Sequence, residues 1–201
     1  MRPTEILMQE HRVIEQVLDC LEAIANKAET GEQLDEQSAT QAIDFFANFA
    51  DRCHHGKEEN CLFPMLEQKG FSPEQGPTAV MVHEHEAGRQ HVRGMTNAID
   101  SVAAGDPTAS VCFISHARAF IVLLREHIQK EDHCLFQMAD QSLTEQEQAQ
   151  VIDSFNRVEH EDMGPGTHEK YLDIAIQLAK KYGVQCQIAG TVPGTSCCGH
   201  H

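Results

Sequence analysis

The sequence contains no tryptophan and only 5% aromatic residues, and no run of alternating β-branched residues indicates a strand. Glutamate, glutamine, alanine and leucine are common, and all four favour helices. At 201 residues the chain is long enough for one domain with a well-buried core. We therefore expect an all-α protein.

Basic residues are scarce, because 15 lysines and arginines stand against 31 acidic residues and leave a net charge of −16. Such a surface repels phosphate backbones and anionic lipids, so we expect neither nucleic acid nor a membrane as a partner. The sequence also lacks an apolar stretch that resembles a signal peptide or crosses a bilayer. These absences favour a cytoplasmic protein.

In a reducing compartment the eight cysteines are expected as thiols rather than disulfides. Five of them fall on predicted helices, where a cysteine behaves as a small buried apolar residue. These five are Cys20, Cys53, Cys61, Cys112 and Cys134.

Proline, glycine and polar turn residues divide the chain into six helical segments. Four long segments with short connections predict an antiparallel up-down four-helix bundle over about residues 3–140. Two additional helices over about residues 143–182 complete a predicted domain of residues 1–182. Residues 183–201 have no helical periodicity and are expected to form a flexible tail, whose terminal Cys-Cys-Gly-His-His either binds a metal ion or has no such role.

Each of the four long helices has one apolar stripe that faces the core, and each stripe contains a histidine. The second and fourth stripes also carry a glutamate one turn after the histidine, on the same helix face. Six such groups in one core are costly unless they are paired or bound to metal. The six candidate ligands are His11, His54, Glu58, His85, His127 and Glu131.

The two halves of the predicted bundle repeat one another. "HHGKEENCLF" at residues 54–63 aligns with "HIQKEDHCLF" at residues 127–136, and "EH" occurs at residues 10–11 and 84–85. The chain therefore reads as two helical hairpins that place similar half-sites face to face. Neutral imidazoles and bridging carboxylates suit two adjacent iron or manganese ions, and ferritin-like bundles use Glu-x-x-His instead.

The sequence resembles the hemerythrin-like, or HHE cation-binding, family over about residues 2–140, in "LMQEHRVIEQVL", "HHGKEENCLFP", "VMVHEHEAGR" and "LLREHIQKEDHCLF". The resemblance implies a non-haem di-iron centre whose ligands are the six residues above, with Glu58 and Glu131 as bridges. It implies two iron ions joined by an oxo or hydroxo group, for which manganese or zinc can substitute.

For several of the predicted ligand positions the sequence offers more than one candidate residue. The family motif HxxxEExxLFP, like the stripe, selects His54 and Glu58, and leaves His55 and Glu59 for the outer face about 100° round an α-helix. Asp132 is the runner-up to Glu131, because oxygen-carrying hemerythrins use an aspartate at that longer spacing. Three further histidines are expected off the site, at the surface or at the end of the core: His83, His91 and His116.

Oxygen-carrying hemerythrins have a fifth histidine one turn from the first on the third helix, where this sequence has Met81 and Arg89. We expect Glu84, Glu86, a carboxylate of the later helices or water to fill that position. Alternatively Arg89 stays outside the ligand set and pairs with an acidic neighbour. In the later helices, three residues either pack as a lid on the bundle or supply a ligand or a gate: His160, His168 and Glu169.

An open coordination position favours binding and turnover of a small ligand. The favoured function is thus binding or sensing of oxygen, nitric oxide or peroxide, with a protein partner for signalling. The alternatives are a di-iron oxidoreductase (peroxidase, nitric oxide reduction or iron-centre repair) and an iron storage or delivery protein. Repair proteins of the family carry a cysteine-containing N-terminal segment that this sequence lacks.

Overall fold

The structure is a computed structural model that describes residues 1–104, 106, 108–164 and 166–187. Across these residues it is all-helical, without strands, as the composition predicts. None of the helices in this part of the chain combines the length and the apolarity that a bilayer crossing requires.

Six helices follow one another in the described chain. Helix α1 is Pro3–Glu29, α2 covers residues 36–68, α3 is Pro77–Ala103, α4 covers residues 109–142, α5 covers residues 145–163, and α6 is Thr167–Tyr182. Pro3 and Pro77 stand at the first turns of α1 and α3, where a missing N–H costs nothing. Thr144 caps α5 together with Glu147 in a capping box.

Helices α2, α4 and α5 contain π-helical turns, in which the hydrogen bonds run from i to i+5 and each turn holds an extra residue. In α2 these turns are Phe46–His55 and Glu58–Leu62, between the α-helical Glu36–Phe45 and Phe63–Gln68. In α4, Glu131–Leu135 separates Ala109–Lys130 from Phe136–Ser142. In α5, Val158–Met163 follows Glu145–Arg157.

The extra residues move the buried stripe of α2 after Glu58. The sequence predicts that the stripe continues through Cys61 and Met65, but both are partly exposed and Leu62 and Leu66 are fully buried instead. This part of the predicted stripe was therefore wrong by one residue, which is the increment that one π turn adds.

The same shift occurs in α4 after Glu131. Cys134 and Met138 are exposed, and Leu135 and Ala139 take their places in the core. The expectation that Cys134 is buried was therefore wrong, and Cys112, on the outer side of α4, is exposed as well. Cys20 and Cys53 are buried as predicted.

The core consists of two apolar clusters with a polar layer between them. On α1, Leu7 belongs to one cluster and Ile14 to the other, and His11 lies between them. Helix α1 packs against α2 and α4, and α3 packs against the same two helices, so the four surround this layer. Helices α5 and α6 lie along the side formed by α1 and α2.

Candidate metal centre

The polar layer gathers all six predicted side chains in one place, together with His55. The six are at most 1% exposed, and His55 is 6% exposed. Their potential ligand atoms form two overlapping groups, in each of which these atoms lie within 4.8 Å of one another. Glu58 belongs to both groups, which are His11, His54, Glu58 and Glu131, and His55, Glu58, His85 and His127.

Each glutamate lies between a histidine of its own helix and a histidine of the other hairpin. Oε2 of Glu131 is 3.2 Å from Nε2 of His127 in α4 and 3.2 Å from Nε2 of His11 in α1. The two oxygens of Glu58 lie 3.5 Å from Nε2 of His54 in α2 and 3.4 Å from Nε2 of His85 in α3. The two carboxylates therefore occupy equivalent positions in the two half-sites.

Six buried polar atoms of this layer have no hydrogen-bond partner in the described chain, although buried polar atoms normally have one. No hydrogen bond reaches Nε2 of His11 or His54, or any of the four carboxylate oxygens of Glu58 and Glu131, within the described chain. Leaving such groups unsatisfied in a core costs several kcal/mol, roughly 1–3 kcal/mol for each polar group. Divalent cations among them would satisfy all six atoms, so the donor set fits a dimetal site.

Burial and charged neighbours together shift the pKa of Glu58 upward and the pKa of Glu131 downward. Burial raises the pKa of Glu58, and the charge of Glu131 raises it further. Burial also opposes ionisation of Glu131, but His127 and His11 hold its pKa well below the usual range. Burial alone would lower the pKa of His127, yet Glu131 raises it to about 9, so a metal ion must displace a proton when it binds.

Each of the five histidines is held by a carboxylate at Nδ1. An Nδ1–H that donates to a carboxylate fixes the ring and leaves the Nε2 lone pair facing the cluster, as in many metal sites. The Nδ1-to-oxygen distances are 2.7 Å for His11 and Asp132, 2.9 Å for His54 and Glu10, 3.2 Å for His55 and Asp51, 2.7 Å for His85 and Glu59, and 3.0 Å for His127 and Glu84.

Each of these five carboxylates forms an ion pair with a lysine or arginine side chain. Arg89 lies 2.8 Å from both Asp51 and Glu59. The other three pairs are Arg12 with Asp132, Lys57 with Glu10, and Lys130 with Glu84. Burial alone would raise the pKa of Glu10, but His54 and Lys57 lower it to about 2, so it stays ionised.

The two hairpins make equivalent contacts with the residues that repeat in the sequence. In each hairpin the "EH" glutamate holds the histidine that opens H-x-x-K-E, and the lysine pairs with that glutamate. The acidic residue after Glu58 or Glu131 holds the first histidine of the opposite hairpin. The phenylalanine of "CLF" stacks on that same histidine, Phe63 on His85 at 6.1 Å and Phe136 on His11 at 5.5 Å.

The expectation that His55 faces outward was wrong. It assumed α-helical geometry, whereas His54 and His55 end the π-helical turn Phe46–His55 and both point into the core. His55 stacks on His85 at 3.8 Å and supplies a fifth imidazole from α2 rather than α3. Ile128, buried in α4, occupies the equivalent position of the other hairpin.

The other competing residues lie outside the two groups. Asp132, Glu84 and Glu59 contact Nδ1 of the clustered histidines, and Arg89 pairs with acidic neighbours, as the alternative expectation had it. His83 is exposed, and His91 contacts His116 at 3.3 Å between α3 and α4. Glu86 is mostly exposed and pairs with Arg93.

In the later helices, His160 is exposed and bonds to a backbone oxygen, and Glu169 is exposed. His168 joins a third group with Glu10 and Glu159, but the ammonium of Lys57 already lies between those two carboxylates. The Cys-Cys-Gly-His-His segment at residues 197–201 lies outside the described residues.

Replacing His55 with isoleucine makes the two half-sites alike, because Ile128 occupies the equivalent position. We expect the affinity for one of two metal ions to fall at least about tenfold, or ~1.4 kcal/mol, with the other ion little affected. Isothermal titration of the metal-free protein with Co²⁺ or anaerobic Fe²⁺ measures both affinities. His83→Ile is the matched control, and equal titrations for both variants would show that His55 is not a ligand.

The chain is similar to known proteins over most of its length. The chain is 23% identical over 180 residues to the uncharacterized proteins Rv1995 of Mycobacterium tuberculosis and Mb2018 of Mycobacterium bovis, which is 90% of this chain and 70% of each relative. It is 34% identical over 91 residues to the iron-sulfur cluster repair protein YtfE of Musicola paradisiaca, which is 43% of this chain and 40% of that protein. No solved structure matches significantly.

A family model, the hemerythrin HHE cation binding domain, matches residues 2–139. This range includes all seven clustered side chains and the five carboxylates behind them. Helices α5 and α6 lie beyond it. The chain therefore belongs to the hemerythrin HHE cation-binding family.

Proposed function

We propose that this chain is a non-haem di-iron protein that binds or senses oxygen, nitric oxide or peroxide inside an antiparallel four-helix bundle. The observation that carries the proposal is the pair of buried glutamates, Glu58 and Glu131. Their oxygens lack hydrogen-bond partners among the described residues and lie between histidine Nε2 atoms. Membership of a cation-binding family supports the metal site.

Iron bound here would supply redox chemistry and coordination positions for a small ligand. Imidazole and carboxylate are ligands that suit iron, and five imidazoles with two shared carboxylates do not fill the shells of two six-coordinate ions. The remaining positions are available to a bridging oxygen atom and an exogenous ligand. We therefore propose a centre that is built for binding as well as for holding metal.

The residues around the ligands keep the site fixed and electrically balanced. The carboxylates at Nδ1 hold each ring in one tautomer, which raises ligand basicity. Lys57 is fully buried and bonded to Glu10, so the negative charge behind His54 is compensated inside the protein. The clustered side chains are shielded from bulk water, which limits competing hydration of the metal ions.

Stopped-flow spectroscopy of the iron-loaded, anaerobically reduced protein tests the proposal. Mixing with nitric oxide or oxygen is expected to produce, in a saturable step, a charge-transfer band that the reduced protein lacks. A reversible oxygen adduct indicates a carrier, and rapid oxidation indicates a sensor or an enzyme. A protein that retains two iron ions and responds to neither gas would contradict the proposed function.

The similarity to a protein named for iron-sulfur cluster repair favours one alternative, a di-iron oxidoreductase. It predicts multiple turnovers of nitric oxide or peroxide with an added electron donor, or restoration of a damaged cluster in a second protein. A stoichiometric single reaction under the same conditions excludes this alternative and leaves the ligand-binding function.

A further inference from the structure

A cavity of about 180 Å³ reaches the candidate metal centre from the surface between α2 and α3. The buried His55 lines it, and its walls also include Phe46 from α2, Gly88 and Val92 from α3, and Phe120 from α4. We call this cavity the α2–α3 slot. Of the seven clustered side chains of the candidate metal centre, His55 is the one that lines the slot.

The slot is lined mostly by apolar residues, and its charged lining residues are Asp51, which bonds to His55, and two arginines at the mouth. Phe46 and Ala50 are 1% exposed and Phe120 is 3% exposed. The side chains of Arg89 and Arg93, which also line the slot, are 26% and 60% exposed. A molecule that enters must pass the charged mouth and then dissolve in an apolar interior, which selects against ions.

Gly88 keeps the slot open at a cost in helix stability. It lies in the middle of α3, where glycine is about 1 kcal/mol less favourable than alanine. A Cβ at this position would lie 3.5 Å from Cε2 of Phe120, which is ordinary van der Waals contact. Close packing therefore does not require glycine here, and the space itself is what a larger side chain would remove.

The size of the slot restricts what it admits. At about 180 Å³ it is smaller than the ~300–1,000 Å³ of pockets for drug-sized ligands and corresponds to roughly six water molecules. A larger cavity of about 480 Å³ lies on the α1–α6 side, but its lining includes Glu10, Arg12, Glu159 and His168. There Glu10, bonded to His54, stands between the cavity and the metal cluster.

We infer that small uncharged ligands reach the metal centre through the α2–α3 slot and that Gly88 sets its width. This inference rests on the proposed function, because it supplies the route for the diatomic ligand. It also predicts a preference for uncharged gases over anions of similar size, since Asp51 and the buried aromatic rings give an anion no favourable contact beyond the mouth.

Nitric oxide binding to the iron-loaded, reduced protein tests the route. Gly88→Leu and, as a second variant nearer the mouth, Val92→Phe are expected to slow association about tenfold or more. Dissociation should slow by a similar factor, because both directions use the slot, so the equilibrium constant should change little. Leu172→Phe narrows the larger cavity and is the matched control, with wild-type rates expected.

Xenon provides a measurement that does not depend on the reaction of the metal. Crystals of the iron-loaded protein under xenon pressure should show xenon in the slot of the wild type and none in Gly88→Leu. Circular dichroism and iron content identify a variant that fails to fold, and Val92→Phe then carries the test.

Unchanged nitric oxide rates in the folded slot variants, or a wild-type slot without xenon, would overturn the route while leaving the proposed function intact. A wild type that holds two iron ions and responds to neither nitric oxide nor oxygen overturns the proposed function, and the route falls with it.

Discussion

Replacing Lys57 with methionine is expected to destabilise the metal-free protein by about 3–5 kcal/mol. The side chain of Lys57 is completely buried and its ammonium pairs with Glu10 and Glu159. Removing the ammonium leaves Glu10, which is 5% exposed, without its charge partner. Urea unfolding of the metal-free variant measures the loss.

Lys130 is the matched control, because it occupies the equivalent position in the second hairpin. It pairs with Glu84 in the same way, but its side chain is 42% exposed. Solvent screens such a pair, so Lys130→Met should cost no more than about 1 kcal/mol. Equal losses for the two lysines would mean that burial of the first hairpin's pair does not govern its strength.

Replacing Glu58 with alanine is expected to abolish stable binding of both metal ions. Glu58 belongs to both ligand groups, and its oxygens lie near histidines of α2 and α3. At a metal concentration of 100 times the dissociation constant, the wild type gains about 2.7 kcal/mol that the variant cannot gain. Metal analysis after gel filtration and thermal unfolding with and without metal measure the two effects.

The metal-free Glu58→Ala protein should unfold at or above the temperature of the metal-free wild type, because the change removes a buried carboxylate that has no hydrogen-bond partner in the described part of the chain. A residue with a purely structural role would give a loss in both states. Glu86→Ala, which alters an exposed carboxylate paired with Arg93, should leave metal content and stability unchanged. Two bound ions in Glu58→Ala would contradict the assignment of the bridge.

The helical order and much of the core could be predicted from periodicity alone. In α1 the stripe through Leu7, Ile14, Leu18 and Leu21 is buried throughout, because the helix keeps one regular period. In α2 and α4 the same reasoning fails beyond Glu58 and Glu131. A π turn there changes the period by one residue, and no propensity of the local sequence signals it.

π-helical geometry is also the reason why the sequence did not predict that His55 faces the core. Two adjacent histidines cannot both face one core from a regular α-helix, and the sequence therefore predicts that one points outward. The π-helical turn brings both inward. The structure thus has one half-site with three imidazoles and one with two, although the repeated motifs predict two similar half-sites.

The sequence repeat also contains carboxylates that contact the histidines at Nδ1 and lysines that pair with them. No such role was predicted for these residues from the sequence. The "EH" pairs repeat with the metal-binding motifs, and so do Lys57 and Lys130. A histidine on an apolar stripe needs a partner at its second nitrogen, so a repeated glutamate beside it is a candidate for that partner. Which helix the glutamate serves could not be predicted, because Glu10 precedes His11 but holds His54.

The most direct test of the proposed dimetal centre is anomalous diffraction at the iron edge from crystals of the iron-loaded protein. We predict two anomalous peaks in each chain, both between Glu58 and Glu131, one beside His11 and His54 and the other beside His55, His85 and His127. A single peak, or none in this layer in a protein with all seven side chains intact, would contradict the account.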